Sequence, residues 1–244
     1  MNSEFEIKDI DKEGIEILDA ISAAGKFNQW MFKTIQPYCH GRILEIGSGI
    51  GNISDFFIQE NADIRLSDLR ENYLEMLRKK YAGKNLGFHR IDLVHPEFEK
   101  EYAEIIGTFD TVFALNVVEH IKDDQQAIEN CYKLLKPGGT IIILVPAFQS
   151  LYTPIDESLY HYRRYTKKSL NALISKFFTV EKSKYFNVMG IAGWFLYGKI
   201  LRRRTIKSDQ TKIFNAMFPV PKIFDAMFRR WFGLSVISVG RKNK

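Results

Sequence analysis

Gly47, Gly49 and Gly51 stand at alternate positions just after the apolar run Ile43-Leu44-Glu45-Ile46, a spacing that brings a small molecule against bare backbone. Lacking a Cβ, such residues reach dihedrals closed to others and let a ligand approach closely. A pyrophosphate is served by the spacing GxGxxG. Here the spacing is GxGxG, with Glu45 just ahead of it. That carboxylate repels a pyrophosphate but suits a cationic amino group, directly or through water. Asp68 ends the next strand-like stretch, residues 63–67, where an open α/β sheet places an acid for a ribose diol. An ionised carboxylate accepts hydrogen bonds from both hydroxyls. Asp68 also reads as a cap for a helix beginning at Glu71.

Proton chemistry has two candidates, His120 and His161. His120 follows the apolar run 109–115; an unperturbed imidazole titrates near neutrality and can take a proton from a hydroxyl. Glu119 orients it or caps the next helix, unless both residues merely organise the loop. His161 opens the run HYRRYTKK, preceded by Asp156, Glu157 and Tyr160. Arg163 and Arg164 offer fixed donor forks for a carboxylate or phosphate, with Tyr160 and Tyr162 shaping a cavity. Alternatively, Asp156 and Glu157 pair with those arginines and lock the loop. The five histidines are scattered and neither Cys39 nor Cys131 has a close partner, so the spacing gives no metal site and no disulfide framework. A serine nucleophile elbow and a GxxxxGK turn are both absent. Direct transfer without a covalent protein intermediate is the economical chemistry.

The elements that must position these groups follow an α/β rhythm. A helical lead-in spans 14–38, divided near Gly25, and Pro37 with Gly41 ends it. Strands are expected at 41–46, 63–67, 86–91, 109–115 and 141–145, with helices at 52–59, 71–81 and 124–135. Leu135-Lys136-Pro137-Gly138-Gly139-Thr140 reads as a turn. Two further strands, 177–186 and 234–240, complete the series. Ligands in such sheets lie beyond the carboxyl ends of the strands, so residues 47–51, 116–120 and the segment after Pro146 converge.

In order, LEIGSGIG, Asp68, FDTVFALNVVEH and LLKPGG resemble the motifs of class I S-adenosylmethionine-dependent methyltransferases over about residues 41–146. The resemblance implies an α/β, Rossmann-like seven-stranded sheet of order 3-2-1-4-5-7-6 and S-adenosyl-L-methionine as cofactor. It implies cofactor contacts from Glu45, Gly47, Ser48, Gly49, Gly51, Asp68, Leu69, Asp92, Leu93 and Asn116. Within that set Glu45 organises the loop more than it touches the ligand, and Asp92 faces the adenine amine. The HYRRYTKK segment is similar to a bacterial and archaeal subgroup associated with glycan or lipid biosynthesis. The expected organisation is a helical cover over 1–40, a cofactor-binding core over 41–186, a helical insertion over 187–233, and the last strand with a basic tail over 234–244.

The insertion carries the chain's basic character: the net charge is +6, and residues 187–233 hold nine basic residues against Asp209 and Asp225. KIFNAMF at 212–218 recurs as KIFDAMF at 222–228, each with an apolar stripe at helical spacing. Aromatics beside cations suit an anionic membrane surface, a lid over an amphiphilic substrate, or an ordinary subdomain packed on the sheet. With no appended nucleic-acid module, nucleic acid is disfavoured as a partner, transfer RNA being a minor alternative. The amino terminus lacks a signal-peptide pattern and no apolar stretch approaches a bilayer span, giving a cytoplasmic expectation with peripheral contact at the membrane's inner face. The expected reaction is methylation of a small or lipid-linked acceptor, oxygen favoured over nitrogen. The rival is a non-enzymatic cofactor-binding regulator or scaffold. The sequence leaves acceptor and oligomeric state open.

Overall fold

The computed structural model describes residues 25–203 and 225–243. Strands β1 (Ile43–Ile46), β2 (Ile64–Asp68), β3 (Gly87–Arg90), β4 (Phe109–Leu115), β5 (Leu135–Pro146), β6 (Thr179–Phe186) and β7 (Ser235–Arg241) form one sheet. Their order is β3-β2-β1-β4-β5-β7-β6, as the resemblance implies. The first five strands pair in parallel; β7 runs antiparallel between β5 and β6.

The near-continuous apolar runs are explained by cover on both faces, which is what a parallel sheet demands. Along β5, Ile141, Ile143 and Val145 enter one core, where they meet Ile128, Cys131 and Leu134 of α5 (Asp124–Leu134) and Leu170 and Ile174 of α7 (Lys167–Ile174). The intervening Ile142 and Leu144 enter the other. There they join Trp30, Phe32 and Ile35 of α1 (Gly25–Ile35), Phe57 of α2 (Ser54–Gln59), and Leu74 and Leu77 of α3 (Glu71–Lys80). Each buried Leu or Ile contributes roughly 1.5–3 kcal/mol, and period-two alternation assigns successive side chains to opposite layers.

Two local differences from the sequence expectation have physical reasons. The LKPGG segment is not a separate turn: β5 starts at Leu135, and residues 136–139 bulge out between the pairs Phe109↔Leu135 and Thr111↔Thr140. A short helix α6 (Pro154–Ser158) precedes the HYRRYTKK run, started by a capping box in which Thr153 and Asp156 satisfy each other's exposed donors. A four-residue helix, α4 (Phe98–Glu101), lies between β3 and β4.

Of the insertion, the described part opens with α8 (Gly190–Trp194), which runs into a π-helical turn, Phe195–Ile200. It packs on α6, since a Cβ at Gly198 would lie 2.8 Å from Thr153. The first of the two repeated KIF motifs, the start of the second, and the expected helix before Gly25 lie outside the described residues. Among the described residues no helix is long and apolar enough to cross a membrane.

Candidate functional site

β1 delivers the glycine turn to the carboxyl edge of the sheet. Gly47, Gly49 and Gly51 all take positive φ, at +71°, +53° and +83°. At Gly47 a Cβ would fall 2.5 Å from Val117, and at Gly51 2.5 Å from the Tyr81 hydroxyl, so both must be glycine for the turn to close on its neighbours. Val117 belongs to the loop after β4, so the glycine turn and the His120 loop are packed together.

Two acids hold this turn from behind. Glu45 is buried and accepts from the Ser54 hydroxyl at the start of α2. Burial outweighs the hydrogen bonds from Ser54 and Ser48 and pushes its carboxyl up to about 7. Asp68 accepts the Gly49 N–H at 3.0 Å and the Arg70 N–H at 3.1 Å. Burial raises its pKa despite those bonds. Ser48 is buried, its hydroxyl accepting the Ser67 N–H at 3.2 Å. Leu69 is half-buried and its carbonyl accepts from Arg90.

The expected adenine side is less open. Asp92 accepts the Val94 N–H at 2.9 Å, and Leu93 is a core residue whose carbonyl accepts from Asn130. Asn116, at the tip of β4, is exposed and holds φ at +55°, a conformation uncommon for residues other than glycine. Two surface hollows lie elsewhere. One, of about 480 Å³, is lined by Ile50, Asp55, Phe56 and Lys80 behind the turn; the other, of about 660 Å³, lies between His95 and Lys133.

Beyond Val117 the chain makes a 3₁₀ turn, Val118–His120, and meets the HYRRYTKK segment. The Tyr162 N–H donates to the Glu119 carbonyl at 2.8 Å. The His120 and His161 rings meet edge to face at 4.6 Å. Packing of its ring, then the nearby His161 and Arg70, lowers the pKa of His120. His161 is buried, with Nδ1 2.9 Å from Asp156 Oδ1 and Nε2 4.0 Å from Glu119 Oε1. Both Glu119 carboxylate oxygens are buried without a hydrogen-bond partner from another residue, and burial pushes this group up to about 8.

The two arginines divide. Arg164 is buried and grips Asp156 through Nε at 2.8 Å and Nη2 at 3.1 Å, while its guanidinium lies 4.5 Å from the Trp194 ring centre. Burial alone would raise the Asp156 pKa, but His161 and Arg164 prevail and lower it. Arg163 pairs with Asp124 at 2.7 Å and donates to the Lys122 carbonyl. Of the two readings of this loop, the pairing one describes these arginines, with Asp124 rather than Glu157 as the second acid. Tyr160 and Tyr162 are exposed, the former at φ +58°. Sequence reading paired Asp156 with the arginines but did not find it as the partner of His161, nor did it find Trp194 against Arg164.

A family model described as "Methyltransferase domain" matches residues 44–141. The chain is 30% identical over 146 residues to a ubiquinone biosynthesis O-methyltransferase of Dechloromonas aromatica, covering 58% of this chain and 54% of that protein. It is 32% identical over 110 residues to phosphoethanolamine N-methyltransferase 1 of Triticum aestivum, covering 42% and 20%. It therefore spans about half of the first relative's length and a fifth of the second's. Among solved structures, an S-adenosylmethionine-dependent methyltransferase from Archaeoglobus fulgidus superposes with a TM-score of 0.56 at 18% identity, over 88% of this chain and 94% of that one. Phosphoethanolamine N-methyltransferase 2 of Haemonchus contortus, solved with S-adenosyl-L-methionine, superposes at 0.58 and 19% identity, over 90% and 53%. The chain has the class I, Rossmann-like fold of S-adenosylmethionine-dependent methyltransferases.

Proposed function

We propose that this chain transfers a methyl group from S-adenosylmethionine to a polar acceptor seated against Glu119, His120 and His161. The observation that carries the reading is the Asp68–Gly49 hydrogen bond, at 3.0 Å, which locks the glycine turn onto an acid. The residues suit the cofactor: a carboxylate has about four acceptor positions, and the backbone bonds from Gly49 and Arg70 leave capacity for a diol. Gly47, Gly49 and Gly51 would line the amino-acid end, with Asn116 at the rim. When bound, S-adenosylmethionine supplies a methyl group on a positive sulfur, open to in-line attack.

The chain's own contribution is alignment and proton handling, and alignment carries much of the barrier reduction. Val117 packs on Gly47, which fixes the distance between the cofactor turn and the acceptor wall. A hydroxyl acceptor must lose its proton as it attacks. His120, unprotonated and reaching solvent, is the member of the wall placed to receive it, although its lowered pKa makes it a weaker acceptor than a free imidazole. This favours oxygen over nitrogen, whereas the names of the two curated relatives include one acceptor of each kind.

A lipid-linked acceptor, met by a cytoplasmic protein resting on an anionic membrane face, is supported by one further observation. Phe195, Leu196, Ile200, Leu201, Met227, Trp231 and Phe232 are exposed, beside Lys199, Arg202 and Arg230. Amphiphilic surfaces attract such mixtures of rings and cations. Incubation with methyl-labelled cofactor and, separately, lipid and aqueous extracts tests the reading. Label in an extracted product supports it, and label in the lipid phase supports the amphiphilic acceptor. Cofactor binding without any labelled product would instead favour the regulatory or scaffold alternative.

A further inference from the structure

Glu119 is fully buried and neither of its oxygens has a hydrogen-bond partner from another residue. A carboxylate so placed is unfavourable unless something positive or protic meets it. Imidazole nitrogen lies beside it: Oε1 is 4.0 Å from His161 Nε2, and one donor atom from each of Glu119, His120 and His161 falls within 4.8 Å of the others.

The protonation pattern of the two rings gives this space its character. Asp156 accepts from His161 Nδ1 at 2.9 Å, which puts the proton there and leaves the Nε2 lone pair on the side of Glu119. Asp156 is itself immobilised by the two-point contact with Arg164. His120 brings a second imidazole to the same space, its ring edge to face with that of His161 at 4.6 Å. Glu119, on giving up its proton, would join these two imidazoles as a third ligand atom, and a bound cation would compensate the charge that burial otherwise suppresses. A histidine whose far nitrogen donates to a carboxylate is also the usual way in which a metal-binding imidazole is oriented.

We propose that Glu119, His120 and His161 bind one divalent transition-metal ion, with Asp156 orienting His161 and at least one coordination position left open on the exposed His120 side. Two imidazoles and one carboxylate suit zinc, or iron or cobalt in the divalent state, better than magnesium or calcium, which prefer all-oxygen sites. Metal–ligand bonds of about 2.0–2.2 Å require donors closer together than 4.8 Å. Closing the site takes a rotation of the exposed His120 side chain together with an approach of Glu119 to His161, whose nearest atoms stand 4.0 Å apart. His161 lies far along the chain from Glu119 and His120, so no short ligand motif announces it. The use of the ion rests on the function proposed above: it would polarise the acceptor's hydroxyl, and His120 would then act as a ligand while solvent takes the proton. Its binding does not depend on that reading.

The test is calorimetric titration of Zn²⁺ into the full-length, tag-free chain after removal of metal by a chelator, with circular dichroism confirming the fold. One equivalent is expected to bind. Affinity should fall at least tenfold in His120→Ala, at an exposed position, and in Glu119→Gln, which keeps the shape of the side chain. Visible d–d absorption of the Co²⁺-loaded wild type should be lost in both variants. No binding to the wild type, or unchanged affinity in both folded variants, overturns the inference. The same metal-free sample is titrated with S-adenosylhomocysteine. Cofactor binding without metal binding overturns only this inference, while metal binding without any methyl transfer overturns only the function.

Discussion

The Gly49 backbone N–H donates to the Asp68 carboxylate at 3.0 Å, joining the turn after β1 to the end of β2. The same acid that would accept a sugar's hydroxyls thus also sets the shape of the glycine loop. Removal of the carboxylate should act on ligand binding twice, through a lost acceptor and through a loosened turn.

Glu45 makes stability depend on pH in a defined direction. Its carboxyl is pushed by burial from 4.5 to about 7, so the native state keeps a proton that the unfolded chain releases. Its contribution is complete below about pH 4.5 and is lost as pH rises towards 7. Melting temperatures taken across that interval should fall more in the wild type than in Glu45→Gln. Parallel profiles would contradict the assignment.

His120→Ala should leave cofactor affinity unchanged and slow methyl transfer by about 10²–10⁴-fold, the usual scale of a lost proton acceptor, whether His120 takes the proton itself or holds the proposed ion that acidifies the hydroxyl. Calorimetry and initial rates separate the two effects. Turnover at the wild-type rate would remove His120 from the chemistry.

The two neighbouring arginines should differ sharply in stability. Arg164→Ala leaves the buried Asp156 charge without its two-point partner, a change that costs about 3–5 kcal/mol. Arg163→Ala breaks a partly exposed pair with Asp124 and should cost no more than about 1 kcal/mol. Denaturant unfolding of both variants checks this, and equal losses would contradict the division.

Trp231→Ser combined with Phe232→Ser should reduce flotation with anionic vesicles while leaving the fold intact, because both side chains are exposed. Neutral vesicles should recover less of the wild type. No recovery of the wild type with anionic vesicles would end the membrane reading.

The architecture was legible where a residue's neighbours in sequence decide its fate. β4 begins and ends at Phe109 and Leu115 as expected, because a β-branched and aromatic run buried on both faces has few alternatives. The strand order came from the resemblance and agrees with the observed sheet. Less legible were features set by distant partners. The segment after Leu135 reads as a turn from its proline and glycines, yet pairing of Leu135 with Phe109 draws it into β5 as a bulge. Arg163 and Arg164 are adjacent and chemically identical; only the fold assigns one to Asp124 and the other to Asp156. The meeting of Glu119 with His161 likewise depends on the tertiary contact between the Tyr162 N–H and the Glu119 carbonyl.

The most direct test of the account is calorimetric titration of the wild-type chain and Asp68→Ala with S-adenosylhomocysteine. Saturable binding at one site in the wild type, weakened at least tenfold in a folded Asp68→Ala, is the predicted result. No heat with the wild type, or equal affinity in the two proteins, would contradict the claim that the glycine turn and Asp68 form the cofactor's seat.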